Sequence, residues 1–68
     1  MKAQINGELT DLKDGLNISE LLVERKVQMP DMVSVELNGE ILNRENFPQT
    51  QVLEGDRVEF LYFMGGGQ

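Results

Sequence analysis

Sixty-eight residues with a formal net charge of −6 make one small acidic domain. A chain of this size buries only about 60% of the surface it exposes when unfolded, which leaves no room for a deep substrate cavity. Cysteine and histidine are both absent, which excludes disulfides, thiolate nucleophiles, the commonest general base and the commonest metal ligand.

The acidic balance also argues against nucleic acid, whose recognition needs a basic stripe to displace counterions from phosphate. It suits a soluble protein that docks on a basic partner. No apolar run approaches the roughly 20 residues of a membrane span, and Met1-Lys2-Ala3-Gln4-Ile5 opens no signal peptide, so no membrane association is expected. A cytoplasmic setting is expected.

Met1, Ala3 and Ile5 alternate with Lys2 and Gln4, the period of a half-buried strand. Asn6-Gly7 is a hairpin signal, because a type I′ turn needs positive φ at both central positions. Glu8 to Leu12 reads as the returning strand with Leu9 its clearest core residue. Asn17 is placed to cap a helix, and Glu20 three residues on closes a capping box. Ile18, Leu21, Leu22 and Arg25 follow at i, i+3, i+4 and i+7, so a short helix is expected from Ile18 to about Lys26, stopped before Pro30. Alone it would be unstable in water; burial against a sheet must hold it.

Met32 to Leu37 alternates again, with Val33, Val35 and Leu37 inward. Asn38-Gly39 repeats the hairpin chemistry, and Glu40-Ile41-Leu42 begins a return. Asn43 to Pro48 reads as irregular, with Phe47 as its anchor, and Arg44 beside Glu45 as a surface ion pair. Gln51-Val52-Leu53 reads as a short edge strand, and Glu54-Gly55-Asp56 as a tight turn.

The last strand is dense in β-branched and aromatic residues. Val58, Phe60 and Tyr62 share one face; Glu59, Leu61 and Phe63 share the other. With the helix over Val58 and Phe60, Leu61 and Phe63 lie on the open face, two large apolar side chains that mark an interaction patch. Two parallel end strands at the sheet centre and one helix on a single face give an α+β roll, a mixed sheet of four to five strands packed on one short helix. Residues 1–63 form the domain; residues 64–68 form a flexible glycine-rich tail, since Gly65, Gly66 and Gly67 have nothing to bury and lose the most entropy on ordering.

Little chemistry resides in the side chains. Glu8, Asp11 and Asp14 are close in sequence but lack the spacing of a calcium loop. The tail is no phosphate loop, because no helix follows it and it has no lysine. The C-terminal carboxylate is what is left. Activated by an ATP-using partner, it becomes an electrophile that an amine or a sulfur donor can take up, and glycine leaves its carbonyl unshielded.

Val35-Glu36-Leu37-Asn38-Gly39-Glu40-Ile41, Asn43-Arg44-Glu45, Leu53 to Glu59 and Phe63-Met64-Gly65-Gly66-Gly67 together resemble the ThiS sulfur carriers of thiamine biosynthesis. Those are ubiquitin-like β-grasp proteins related to MoaD, and the resemblance is weakest around residues 24 to 32. It implies that Gly67 is the acyl site, adenylated by an E1-like adenylyltransferase of the ThiF type and converted to a thiocarboxylate by a persulfide from a cysteine desulfurase relay. A thiazole synthase of the ThiG type then takes the sulfur. It further implies a carrier rather than an enzyme, a monomer when free, with no bound cofactor and with ATP used by the partner. Leu61 and Phe63, with Met64 beyond them, would meet the activating enzyme. A MoaD-like carrier serving another product, or a β-grasp interaction module without carrier activity, stays open. The chain departs from the family in ending on Gln68: a protease exposes Gly67, or Gln68 is foreign to the natural chain, or this copy carries no sulfur. The first is favoured. Asn43 stands where relatives often have proline, which affects only the turn.

Overall fold

The computed structural model describes residues 1–63; the expected tail over 64–68, with Met64, Gly65, Gly66 and Gly67, lies outside the described residues. The elements in chain order are β1 (Lys2–Ile5), β2 (Glu8–Asp11), α1 (Ile18–Glu24), β3 (Ser34–Leu37), β4 (Glu40–Leu42), a 3₁₀ turn (Arg44–Gln49) and β5 (Arg57–Leu61). They form a five-stranded mixed sheet in the order β2-β1-β5-β3-β4 with one helix. As the end strands require, β1 and β5 run parallel at the centre, pairing Gln4 with Arg57 and Ile5 with Val58.

Both Asn-Gly turns form as expected, with φ of 52 and 86° at Asn6-Gly7 and 53 and 89° at Asn38-Gly39. The asparagines have a second task. The Asn6 carboxamide oxygen accepts the Phe60 N–H at 2.8 Å, and that of Asn38 accepts the Arg57 N–H at 2.9 Å. Two donors of β5 are thereby satisfied by hairpin tips on opposite sides.

Asn17 caps α1 through a complete capping box: its side chain accepts from Glu20 N–H at 2.8 Å, while Glu20 accepts from Asn17 N–H at 3.0 Å. The helix ends at Glu24, short of Lys26 and well before Pro30. Lys26 takes the left-handed conformation (φ 53°), donating to Val23 at 3.0 Å while Val27 donates to Leu22 at 3.0 Å. That pair of bonds is a Schellman closure, and it stops the helix before proline can. Ile18, Leu21 and Leu22 pack into a core with Ala3, Ile5, Leu12, Val33, Val35, Phe47, Val52 and Val58.

Three expectations need correction. Leu9 is not core; it is 67% exposed. The two-residue turn pairs it with Gln4 on the outer face, and strand parity gives the inward places to Thr10 and the buried Leu12. Gln51 to Leu53 is not a strand of the sheet. A single bridge joins Gln51 to Asn17, and Val52 N–H donates to Leu16 at 2.8 Å, so this stretch lines the entrance to α1. The Asn43–Pro48 stretch is not irregular but holds a regular 3₁₀ turn over Arg44–Gln49, closed by Thr50 donating to Phe47 and Asn46, while Phe47 is its buried anchor as expected.

Candidate functional site

The outer face of the sheet, turned away from α1, carries the candidate site. On β5 it receives Arg57, Glu59 and Leu61. Leu61 is half-buried opposite Ser34, and Phe63, two residues on, is 71% exposed. Leu61, inside β5, is on the open face as expected; Phe63 lies beyond the end of the strand and is exposed. Met64 and Gly67 lie outside the described residues.

Glu59 stands directly opposite Glu36 in the antiparallel register, and Glu36 stands opposite Ile41 on its other side. Like charges facing each other across a sheet are destabilising. Among the described residues the ion pairs are the amino terminus with Asp14 (3.3 Å) and Lys2 with Asp11 (2.8 Å), so neither Glu36 nor Glu59 has a cation there. The outer face thus presents two carboxylates between Ile41 and Leu61. That pattern suits a partner bringing a basic side chain within an apolar rim.

Sequence reasoning left two exposed methionines without a role. Met32 and Met29, 70% and 61% exposed, lie in the connection that precedes β3. Ser34 is the partner of Leu61, so Met32 precedes Ser34 by the same two residues by which Phe63 follows Leu61. That correspondence in chain position appears only once the register is known. Methionine is adaptable at contact surfaces.

The remaining polar groups are accounted for locally. The Lys2 ammonium donates to the Asp11 carboxylate at 2.8 Å, and that hydrogen bond, with the attraction of the two charges, lowers the Asp11 pKa and raises that of Lys2. Asp14 faces the amino terminus. Among the described residues no group of three acidic side chains could hold a metal ion. The hollow along α1, lined by Lys13, Leu16, Ser19, Glu20, Val23 and Glu24, is open to solvent and mostly apolar; its Glu20 is already used in the cap. Arg44 does not pair with Glu45 as expected. Its guanidinium donates to the carbonyls of Pro30 (2.7 Å) and Val33 and lies 5.1 Å over the Phe47 ring. No helix among the described residues is long and apolar enough to cross a membrane.

The sequence and the fold have counterparts among known proteins. The ThiS family pattern matches residues 3–67. This chain belongs to the ThiS family. The sulfur carrier protein ThiS of Bacillus subtilis is 32% identical over 65 residues, covering 94% of this chain and 97% of that protein. A crystal structure of the thiamine biosynthesis protein ThiS from Geobacter metallireducens is 51% identical, covers 98% of this chain and 100% of that one, and superposes with a TM-score of 0.92. Its fold, a ubiquitin-like β-grasp, is therefore this chain's fold. The thiazole synthase of Paramagnetospirillum magneticum is 37% identical over 67 residues; the match covers 98% of this chain but 20% of that protein. In that relative a ThiS-like segment is part of a longer chain, and the same holds for the thiazole synthase of Magnetococcus marinus, at 32% identity and 21% coverage.

Proposed function

We propose that this ThiS family member is a sulfur carrier for thiazole formation in thiamine biosynthesis, acting through the carbonyl of Gly67. The observation that carries this reading is the extent of the family match, which runs through the glycines to Gly67 and leaves only Gln68 beyond it. Relatives named as a sulfur carrier and as thiazole synthases support the product served.

The chemistry divides between the chain and its partners. A carboxylate is inert to sulfur nucleophiles because its leaving group would be oxide. An adenylyltransferase of the ThiF type joins one carboxylate oxygen of Gly67 to the α-phosphorus of ATP, and pyrophosphate departs. The acyl adenylate then has AMP as leaving group, and persulfide sulfur from the desulfurase relay displaces it at the carbonyl carbon. A thiol attacks the donor's sulfur in the resulting acyl disulfide, forming a disulfide with the donor and expelling the thiocarboxylate, which a thiazole synthase of the ThiG type then takes. The chain itself provides position: Gly65 and Gly66 as a slender lead-in, and the outer face with Leu61, Phe63 and Met64 as the grip. This chemistry needs a chain whose free carboxylate is that of Gly67, with Gln68 absent or removed.

Growth of a thiamine-requiring cell that lacks its own carrier tests the reading. A chain ending at Gly67 restores growth without thiamine, and deletion of residues 65–67 abolishes the rescue. Rescue of a molybdopterin defect in place of the thiamine defect would move the chain to the MoaD role.

A further inference from the structure

The β5 ladder to β3 ends at Leu61, yet the next residue is tied to the fold. The Tyr62 hydroxyl donates a hydrogen bond to the backbone carbonyl of Gln28, 34 residues earlier in the chain. Gln28 lies in the connection between α1 and β3, which has no regular structure and holds Lys26 and Met29 at positive φ of 53 and 51°. Such a segment makes a poor fixed acceptor unless something else holds it. Arg44 does, by donating to the carbonyls of Pro30 and Val33 from a 3₁₀ turn rooted in the core by Phe47. A continuous chain of contacts therefore runs from the core through Arg44 and the connection to the Tyr62 hydroxyl. The Tyr62 ring is 44% exposed and borders an open hollow with Asn6, Glu8 and Arg25, so packing does not fix it on every side.

We propose that Tyr62 is a positioning residue: the hydroxyl seated on Gln28 sets the point and direction from which the chain proceeds toward Gly67. This rests on the carrier reading above. Gly67 lies five positions beyond Tyr62, a reach of at most about 18 Å. Glycine backbone prefers no direction of its own, so orientation imposed at the root decides how often the carbonyl meets the adenylating site. Delivery in the right geometry is a rate effect, and small misplacements are costly there. The domain's grip on its partner uses the outer face and does not need the hydroxyl.

The test compares Tyr62→Phe with Gln28→Ala, both in chains ending at Gly67, by steady-state pyrophosphate release with the ThiF-type adenylyltransferase. Tyr62→Phe keeps the ring and removes one hydrogen bond; kcat falls about three- to tenfold while KM stays within about twofold. Gln28→Ala keeps the accepting carbonyl and leaves both constants unchanged. Amide hydrogen exchange of the full chain gives a second readout, with exchange at residues 28–33 and 60–63 quickened about three- to tenfold by Tyr62→Phe alone. An unchanged kcat, equal damage from Gln28→Ala, or unchanged exchange overturns the proposal. Failure of the unmutated chain ending at Gly67 to release pyrophosphate overturns the carrier reading instead, and exchange still decides whether the hydroxyl holds the root.

Discussion

Arg44 looks like a surface cation in the sequence and acts as an internal strut. Its two backbone acceptors lie on a segment that has no ladder of its own, and its planar group rests over Phe47. Lysine offers neither the fork nor the flat face. We expect Arg44→Met to lower stability by about 1–3 kcal/mol in urea unfolding, with Arg44→Lys recovering less than half of the loss. Lys2 and Asp11 give a second prediction at this scale. The lowered Asp11 pKa means the pair's contribution is present above the unfolded value and fades as pH falls through the folded one. The raised Lys2 pKa means it is present below the unfolded lysine value and fades as pH climbs through the folded one. Both ends are exposed, so the effect on stability is small. Carboxyl-carbon NMR should place Asp11 below the ordinary aspartate range, and Lys2→Met should return it there.

Among the elements, those with local chemistry of their own are legible in the residues alone. Asn6-Gly7 and Asn38-Gly39 require left-handed backbone, and Asn17 with Glu20 satisfies the first helical amides, so hairpins and helix start stand where the residues put them. What depends on register is hidden. Leu9 reads as core because leucine usually is, but hairpin pairing assigns it to the outer face with Gln4. Val52 reads as a strand residue, yet its backbone partner is Leu16, which no local pattern reveals. The candidate site divides the same way: Leu61 follows from alternation along one strand, whereas the facing of Glu36 with Glu59 needs the neighbouring strand. That facing yields opposed effects in one variant. Glu36→Gln should raise stability by about 0.2–1 kcal/mol and should slow association with the adenylyltransferase at low salt, the difference vanishing as salt is raised. A destabilised Glu36→Gln would show that the carboxylate serves the fold.

At the scale of the whole molecule, the sheet divides the labour between its faces. One face, with α1, holds a core that is marginal for a chain of this length; the other carries charged residues, Glu36 and Glu59 near Arg57, beside the apolar Ile41 and Leu61. Phe63 is exposed, so Phe63→Asp should leave the unfolding midpoint nearly unchanged and, with the carrier reading, weaken adenylyltransferase binding about tenfold or more. An unfolded Phe63→Asp would instead assign that ring to the core. Everything proposed for the chain converges on one carbonyl carbon offered to other proteins, and intact-protein mass reads that directly. Incubated with ATP, a ThiF-type adenylyltransferase of proven competence and a persulfide source, the chain ending at Gly67 should exchange one oxygen for one sulfur, and the chain retaining Gln68 should not. If the chain ending at Gly67 keeps its mass under those conditions, the carrier account is contradicted.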